Sequence, residues 1–228
     1  MNEPREGFPL LVLDLDHTLL DFSSRRLRNA GSFQEGEAQS ARMKRPFMDE
    51  FLAAVHRRYD LVVWSQTSWR WLETKLIELG MLAHPGYGFC FVLDKTSMFK
   101  ITSTRRGGER VEHSVKPLQL VWSKFPGRWG SHNTVHLDDL ARNFALNLGC
   151  GLKCTAYHRK RRGAKKDVEL LALARYLDLL AGEGMNFEEV DFADWASVSS
   201  GKKSIRETAK RKQKEGGGED QKKKKGAS

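Results

Sequence analysis

Residues Leu11–Leu20 read LVLDLDHTLL, and this segment constrains the chain more than any other. An unbroken apolar run, Leu10–Leu15 apart from its first aspartate, reads as a buried strand. It is halted by Asp14 and Asp16 with one residue between them, and Thr18 follows two positions later. In a strand, residues i and i+2 share a face. At the strand end that alternation is expected to break, so that both carboxylates reach one metal ion. Two bare carboxylates this close repel each other. A hard cation such as Mg²⁺ removes the conflict, because it takes oxygen ligands from a few carboxylates and a substrate phosphate. The plain alternative is a buried strand ending in a polar turn. Asp-x-Asp-x-Thr after an all-apolar run is too particular a pattern for that.

The rest of the chain alternates in the same style. Pro46 fits the first turn of a helix, and Phe47, Phe51 and Val55 recur at helical spacing. Leu61–Trp64 is a second short apolar run. A helix is expected from Ser68 to Leu79, with Trp69, Leu72, Leu76 and Leu79 on one face and Gly80 at its end. Residues Tyr87–His113 differ. Phe89–Leu93 and Phe99–Ser103 are strand-like, and Arg106-Gly107-Gly108 suggests a turn, so this stretch reads as a small antiparallel insertion. Thr134–Leu137 is a further buried strand ending in Asp138-Asp139, and Leu152–Tyr157 is the last. Asp167–Ala181 reads as a helix closed by Gly182. Strands alternating with helices imply an α/β fold with a mainly parallel sheet. Polar residues at the strand ends then gather at the carboxyl edge, where such sheets bind ligands.

Composition narrows the classes. At 39% apolar residues the 228-residue chain can bury a sizeable core. No stretch approaches the ~20 apolar residues of a membrane-spanning helix. Met1–Pro9 lacks an apolar core, so no secretory signal is expected. Three sparse cysteines fit a reducing compartment, and Cys150-x3-Cys154 has no second ligand pair to make a zinc site. The net charge of +10 is uneven, since Gly201–Ser228 alone carries eleven Lys/Arg against four Asp/Glu. Residues 1–198 are therefore expected to form the folded domain, and 199–228 a disordered basic tail. Phe22–Lys44 is polar and reads as a long loop beside the first motif.

Four pieces fall at the ends of these elements in a consistent order: Asp14-x-Asp16-x-Thr18, then Ser65, then Lys116, then Asp138-Asp139. Each later piece alone is an ordinary turn, solvated or capping residue; the joint order is what carries weight. This order resembles the four motifs of the haloacid dehalogenase superfamily of phosphotransferases. The resemblance implies a Rossmann-like sheet with no large cap. It also implies that Asp14 is the nucleophile forming an aspartyl-phosphate, that Asp16 is the general acid/base, and that Thr18 braces the loop. Ser65 would hydrogen-bond a phosphoryl oxygen, and Lys116 would set a positive charge near phosphate and nucleophile. Mg²⁺ would be held by Asp14, Asp16 and Asp139, with Asp138 close behind Asp139.

Further stretches look like the FCP/SCP-type protein Ser/Thr phosphatases, closest to the ubiquitin-like-domain-containing CTD phosphatases. They are Arg45-Pro46-Phe47, Tyr59–Ser65, Val115–Leu118 with Val121-Trp122, and Arg142-Asn143-Phe144. That likeness runs from about Leu10 to about Trp195. It implies Mg²⁺-dependent dephosphorylation of a nuclear phosphoprotein, such as the polymerase II C-terminal repeats or the proteasome, by a monomer without a membrane anchor. Thirteen residues precede Asp14, so a ubiquitin-like domain is expected to be missing, and Gln66 stands where a small residue is common. The run His158–Lys166, HRKRRGAKK, and the lysine clusters of the tail suggest contact with acidic partners or nucleic acid, or nuclear import. Two rival readings share the scaffold: a small-molecule or nucleic-acid-end phosphatase, and a catalytically inactive FCP-like binding module.

Overall fold

In a computed structural model of the chain, residues 1–22, 40–104 and 107–208 are described. The strand β1 (Leu10–Leu13) is buried along its whole length. Its side chains alternate between two cores. Leu11 and Leu13 join one, Leu10 and Val12 the other. A strand covered on both faces must be an interior strand of a sheet flanked by helices. β1 pairs in parallel with β2 (Asp60–Trp64) on one side and β6 (Thr134–Asp138) on the other. β3 (Phe91–Leu93) extends the sheet beyond β2, and β7 (Gly151–Lys153) beyond β6, both parallel. The order is thus β3-β2-β1-β6-β7.

The larger core is built by helices laid on one face. α1 (Met48–His56) contributes Phe51, Leu52 and Val55, and α2 (Trp69–Glu78) contributes Leu72 and Leu76. α4 (Glu169–Gly182) adds Leu170, Leu173, Tyr176, Leu177 and Leu180 from one stripe at helical spacing. α5 (Trp195–Ser199) closes that side with Val198. The opposite face is covered by Leu118, by α3 (Gln119–Lys124) through Val121, and by Trp129. Full burial of each such aliphatic side chain contributes about 1.5–3 kcal/mol. The remaining strands, β4 (Phe99–Thr104) and β5 (Arg110–Val115), pair with each other as an antiparallel ribbon apart from the main sheet. α2 stops as its sequence suggests. Gly80 adopts φ 66° and the Met81 amide donates to the Leu76 carbonyl at 2.9 Å, an arrangement that closes helix ends and that glycine enters without strain.

Five expectations of the fold change. The last strand covers Gly151–Lys153 rather than Leu152–Tyr157. Phe91–Leu93 is not part of an antiparallel insertion. It is a parallel edge strand of the main sheet, because Val62, Val63 and Trp64 offer it an unpaired strand edge. Trp69 does not join the buried face of α2 but is about half exposed, and Lys75 is buried there instead. α1 begins after Pro46, with Phe47 at φ 64° as its first boundary. The folded body also continues past residue 198. A helical turn over residues 205–208 seats Ile205 in the larger core at 4% exposure, and the ion pairs Lys203–Asp194 and Arg206–Glu183 hold the same stretch. The loop expected over 22–44 lies mostly outside the described residues, as does the tail from 209 on.

Candidate active site

Where β1 ends, the chain turns sharply. His17 sits at φ 65°, a left-handed conformation uncommon for a residue with a side chain. It is held there from both sides. The His17 amide donates to the Leu20 carbonyl at 2.7 Å, the Tyr157 amide donates to the His17 carbonyl at 2.6 Å, and the His17 ring Nδ1 lies 3.0 Å from the Tyr157 carbonyl. This turn separates the two aspartates. Asp14 stays at the strand end, buried at 4% exposure, whereas the Asp16 carboxylate points to the ammonium of Lys75 on α2 and forms an ion pair with it.

Lys116 follows directly on β5, so the ribbon delivers it to the sheet edge. Its ammonium lies fully buried between two carboxylates, 2.5 Å from Asp14 Oδ1 and 2.7 Å from Asp138 Oδ2. Asp138 closes β6. Its carboxylate also accepts from Asn143 Nδ2 at 2.7 Å and from the Leu140 amide at 2.8 Å. Asn143 is seated by the turn over Ala141–Phe144, whose Phe144 ring lies 2.4 Å from the place a Cβ on Gly151 would occupy, so only glycine permits that approach. Thr18 ties the two strand ends together. Its hydroxyl donates to Asp14 Oδ2 at 3.2 Å and accepts from the Asp139 amide at 3.1 Å.

Asp14, Asp138 and Asp139 each offer a carboxylate oxygen, all within 4.8 Å of one another. These three carboxylates form a group that could hold a cation. The Asp16 carboxylate, expected beside Asp14 on one ion, is paired with Lys75 instead of standing in this group. Electrostatics agree with a cation site. Burial, together with the charges of Asp138 and Asp16, pushes Asp14 up to about 7 despite the neighbouring lysine. Burial, then Asp138, raises Asp139 as well. Burial works against the Asp138 carboxylate too, but Lys116 and His136 outweigh it and hold Asp138 well below the usual carboxylate range. Burial also opposes the charge on Lys116, and its two carboxylates more than compensate. An all-oxygen donor set in which two carboxylates resist ionisation suits a hard divalent cation such as Mg²⁺.

Ser65 lies where the sequence order puts it, one residue past β2 and fully buried. Its hydroxyl is 2.9 Å from that of Thr67. Gln66, the residue out of pattern, reaches Asn143 Oδ1 at 3.3 Å and so leans on the same network. The partners that sequence reasoning missed are Lys75 and the bracing role of Asn143. Lys75 had a visible signal: it is a charge set inside the apolar stripe of Leu72 and Leu76. Arg45, fully buried, fastens the loop from behind through the Thr18 and Thr155 carbonyls and through Asp167 and Glu169.

Residues 9–189 match the family model described as NLI interacting factor-like phosphatase. The chain belongs to this family. It is 39% identical over 181 residues to the ubiquitin-like domain-containing CTD phosphatase 1 of Xenopus tropicalis, covering 79% of this chain and 52% of that protein. The human protein of the same name is 38% identical over the same shares. The Gallus gallus protein is 36% identical over 202 residues, 89% of this chain and 58% of its own. The chain thus spans about half the length of these relatives. Among solved structures, that of Fcp1, described as an essential RNA polymerase II CTD phosphatase, superposes with a TM-score of 0.51 at 12% identity, over 84% of this chain and 66% of its own. At that identity the likeness speaks for the fold, a mainly parallel five-stranded sheet with a two-stranded antiparallel ribbon.

Proposed function

We propose that this family member is a Mg²⁺-dependent phosphatase of phosphoserine or phosphothreonine in proteins, working through an aspartyl-phosphate on Asp14. One observation carries the reading: a buried lysine bridges Asp14 and Asp138 at the carboxyl edge of the sheet, within a group of three carboxylates able to hold a cation. Asp14, Asp138 and Asp139 would hold Mg²⁺, which supplies charge neutralisation to the phosphoryl oxygens.

The chain's own residues divide the remaining work. An Asp14 oxygen attacks phosphorus as the bond to the ester oxygen breaks, and Asp16, having left its ion pair with Lys75 and taken up a proton from solvent, hands that proton to the leaving oxygen. Asp16 then takes a proton from water, whose oxygen attacks phosphorus, breaks the bond to Asp14 and releases inorganic phosphate. For this Asp16 turns from Lys75 toward the reacting group. Lys116 faces the charge that spreads over the phosphoryl oxygens, and Ser65 donates to one of them. Thr18 fixes the Asp14 rotamer through the hydrogen bond already in place.

Among the described residues no domain lies over this edge, and the inserted ribbon is small. An extended protein segment suits that shape better than a small metabolite. Phosphorylated polymerase C-terminal repeats, which the relatives' names point to, and proteasome subunits are the first substrates to test, in a nuclear setting. No helix among the described residues is long and apolar enough to cross a membrane. The deciding experiment is Asp14→Asn. It should lower kcat on a phosphopeptide by about 10³-fold or more, equivalent to ~4 kcal/mol of barrier, while the thermal melt stays cooperative. Retained turnover in this variant overturns the nucleophile assignment.

A further inference from the structure

A groove of about 510 Å³ opens beside the catalytic loop, between the segment that enters α1 and the basic run after β7. Its walls include Arg42, Lys44, Arg159, Lys160 and Lys165, with Phe47 in the floor. Two of these cations are occupied: Lys44 pairs with Asp49 at 2.7 Å, and Arg159 leans on Asp21 at 3.7 Å. Arg42, Lys160 and Lys165 are exposed and form no ion pair among the described residues. The lining also carries two acids, Asp49, which is paired with Lys44, and Glu50. Arg161, Arg162 and Lys166 continue the positive surface along the same exposed loop.

That loop is not a loose tether. The Arg161 amide donates to the His158 carbonyl at 2.9 Å, the Ala164 amide to Arg161 at 3.1 Å, and the Lys166 amide to Gly163 at 2.8 Å. Its near end is fastened to the catalytic loop through the paired contacts of Tyr157 with His17 and through the Arg159 amide on Asp21 Oδ2 at 3.1 Å. Tyr157 on the groove wall is thus bonded to His17, the residue after the acid/base candidate Asp16. The floor is unusual as well. Phe47 keeps a left-handed φ of 64° and is 39% exposed, a conformation that is costly for a bulky residue and tends to mark binding surfaces.

We propose that this groove docks an acidic stretch of the substrate protein, rich in Asp or Glu and continuous with the segment whose phosphoester reaches Asp14. The inference rests on the phosphoprotein phosphatase reading above and specifies its substrate class. Clustered, unneutralised cations raise the local concentration of an acidic segment and discriminate against neutral ones. Arginine and lysine clusters read acidic motifs in this way. Nucleic acid fits less well, since single strands are held by stacking on several exposed aromatic rings, and Phe47 is the exposed ring on this lining.

The test compares three phosphoserine peptides with Mg²⁺ present: one with glutamates N-terminal to the phosphoserine, one with glutamates C-terminal to it, and one neutral. p-Nitrophenyl phosphate reports the basal activity. Wild type should show kcat/KM at least about tenfold higher for one acidic peptide than for the neutral one, with the advantage shrinking as salt rises. The combined variant Arg42→Glu, Lys160→Glu, Lys165→Glu should reduce that preference to within about twofold while p-nitrophenyl phosphate turnover is unchanged. The matching Gln variant, checked by thermal melt, guards against a folding defect from charge reversal. Fluorescence anisotropy with an unphosphorylated glutamate-rich peptide reads docking without catalysis, so loss of all turnover in wild type would sink the phosphatase reading and leave docking measurable. A preference that survives in the variant overturns the proposal, as does no preference in wild type. So does an oligouridylate that binds wild type and not the variant while the acidic peptide binds neither.

Discussion

A single buried ammonium serving two carboxylates sets the energetics of the site. Taking Lys116 out of water is costly, and it is tolerated because Asp14 and Asp138 both accept from it. Replacing it with methionine keeps the volume and leaves two buried carboxylates facing each other. Lys116→Met should therefore destabilise the fold by about 3–5 kcal/mol in urea titrations without divalent cation, and Mg²⁺ should restore part of the loss. Equal midpoints for wild type and variant would show that the lysine adds nothing net. The contrast with Lys75 is instructive. Both lysines are buried and both hold an aspartate of the first motif, yet Lys75 holds its partner away from the three-carboxylate group.

Two elements were assigned by context that their own residues do not advertise. β3 is three residues long, and only the free edge of β2 makes it a strand of the main sheet. The turn over residues 205–208 carries one large apolar side chain, and the core had a place for it. Ile205→Ala should cost about 2–5 kcal/mol, read as a lower urea midpoint with an unchanged slope. An unaltered midpoint would mean that the folded body ends before this turn. Of the antiparallel ribbon, the strand at Phe99–Ser103 and the turn at Gly107-Gly108, both at positive φ, were legible, whereas its second strand, Arg110–Val115, was not singled out. Its contribution to the site was legible only through the family likeness, because nothing local says that the residue after β5 ends up against the end of β1.

Across the whole molecule the carboxylates couple folding to pH and to the cation. Asp14 titrates near 7 in the folded protein, above its ordinary 3.8. The folded state therefore keeps a proton that the unfolded chain has released. Stability from this group is full below about pH 3.8 and is lost as pH rises through about 7. A cation that binds the ionised carboxylate reverses this loss. Thermal unfolding at fixed Mg²⁺ should show a clearly larger stabilisation at pH 8 than at pH 5.5. A shift that is equal at the two pH values, or larger at the lower one, contradicts the assignment of Asp14 as a ligand.

Local order in the chain was enough to specify the central strands of the sheet and the edge where its chemistry collects. Apolar runs ending in Asp14, Ser65 and Asp138 are short-range patterns, and burial of a strand is encoded in its own side chains. The family likeness set Lys116 beside Asp14, but local order shows neither that pairing, nor that Lys116 also reaches Asp138, nor that Asp16 meets Lys75. Lys116 and Asp14 are 102 residues apart, and Lys75 and Asp16 are 59. Their pairing depends on how the ribbon, α2 and the His17 turn are laid against one another, and a long-range contact leaves no periodic trace in the residues that make it. Only the folded chain could separate two aspartates one residue apart, sending Asp14 to a lysine from β5 and Asp16 to a lysine from α2.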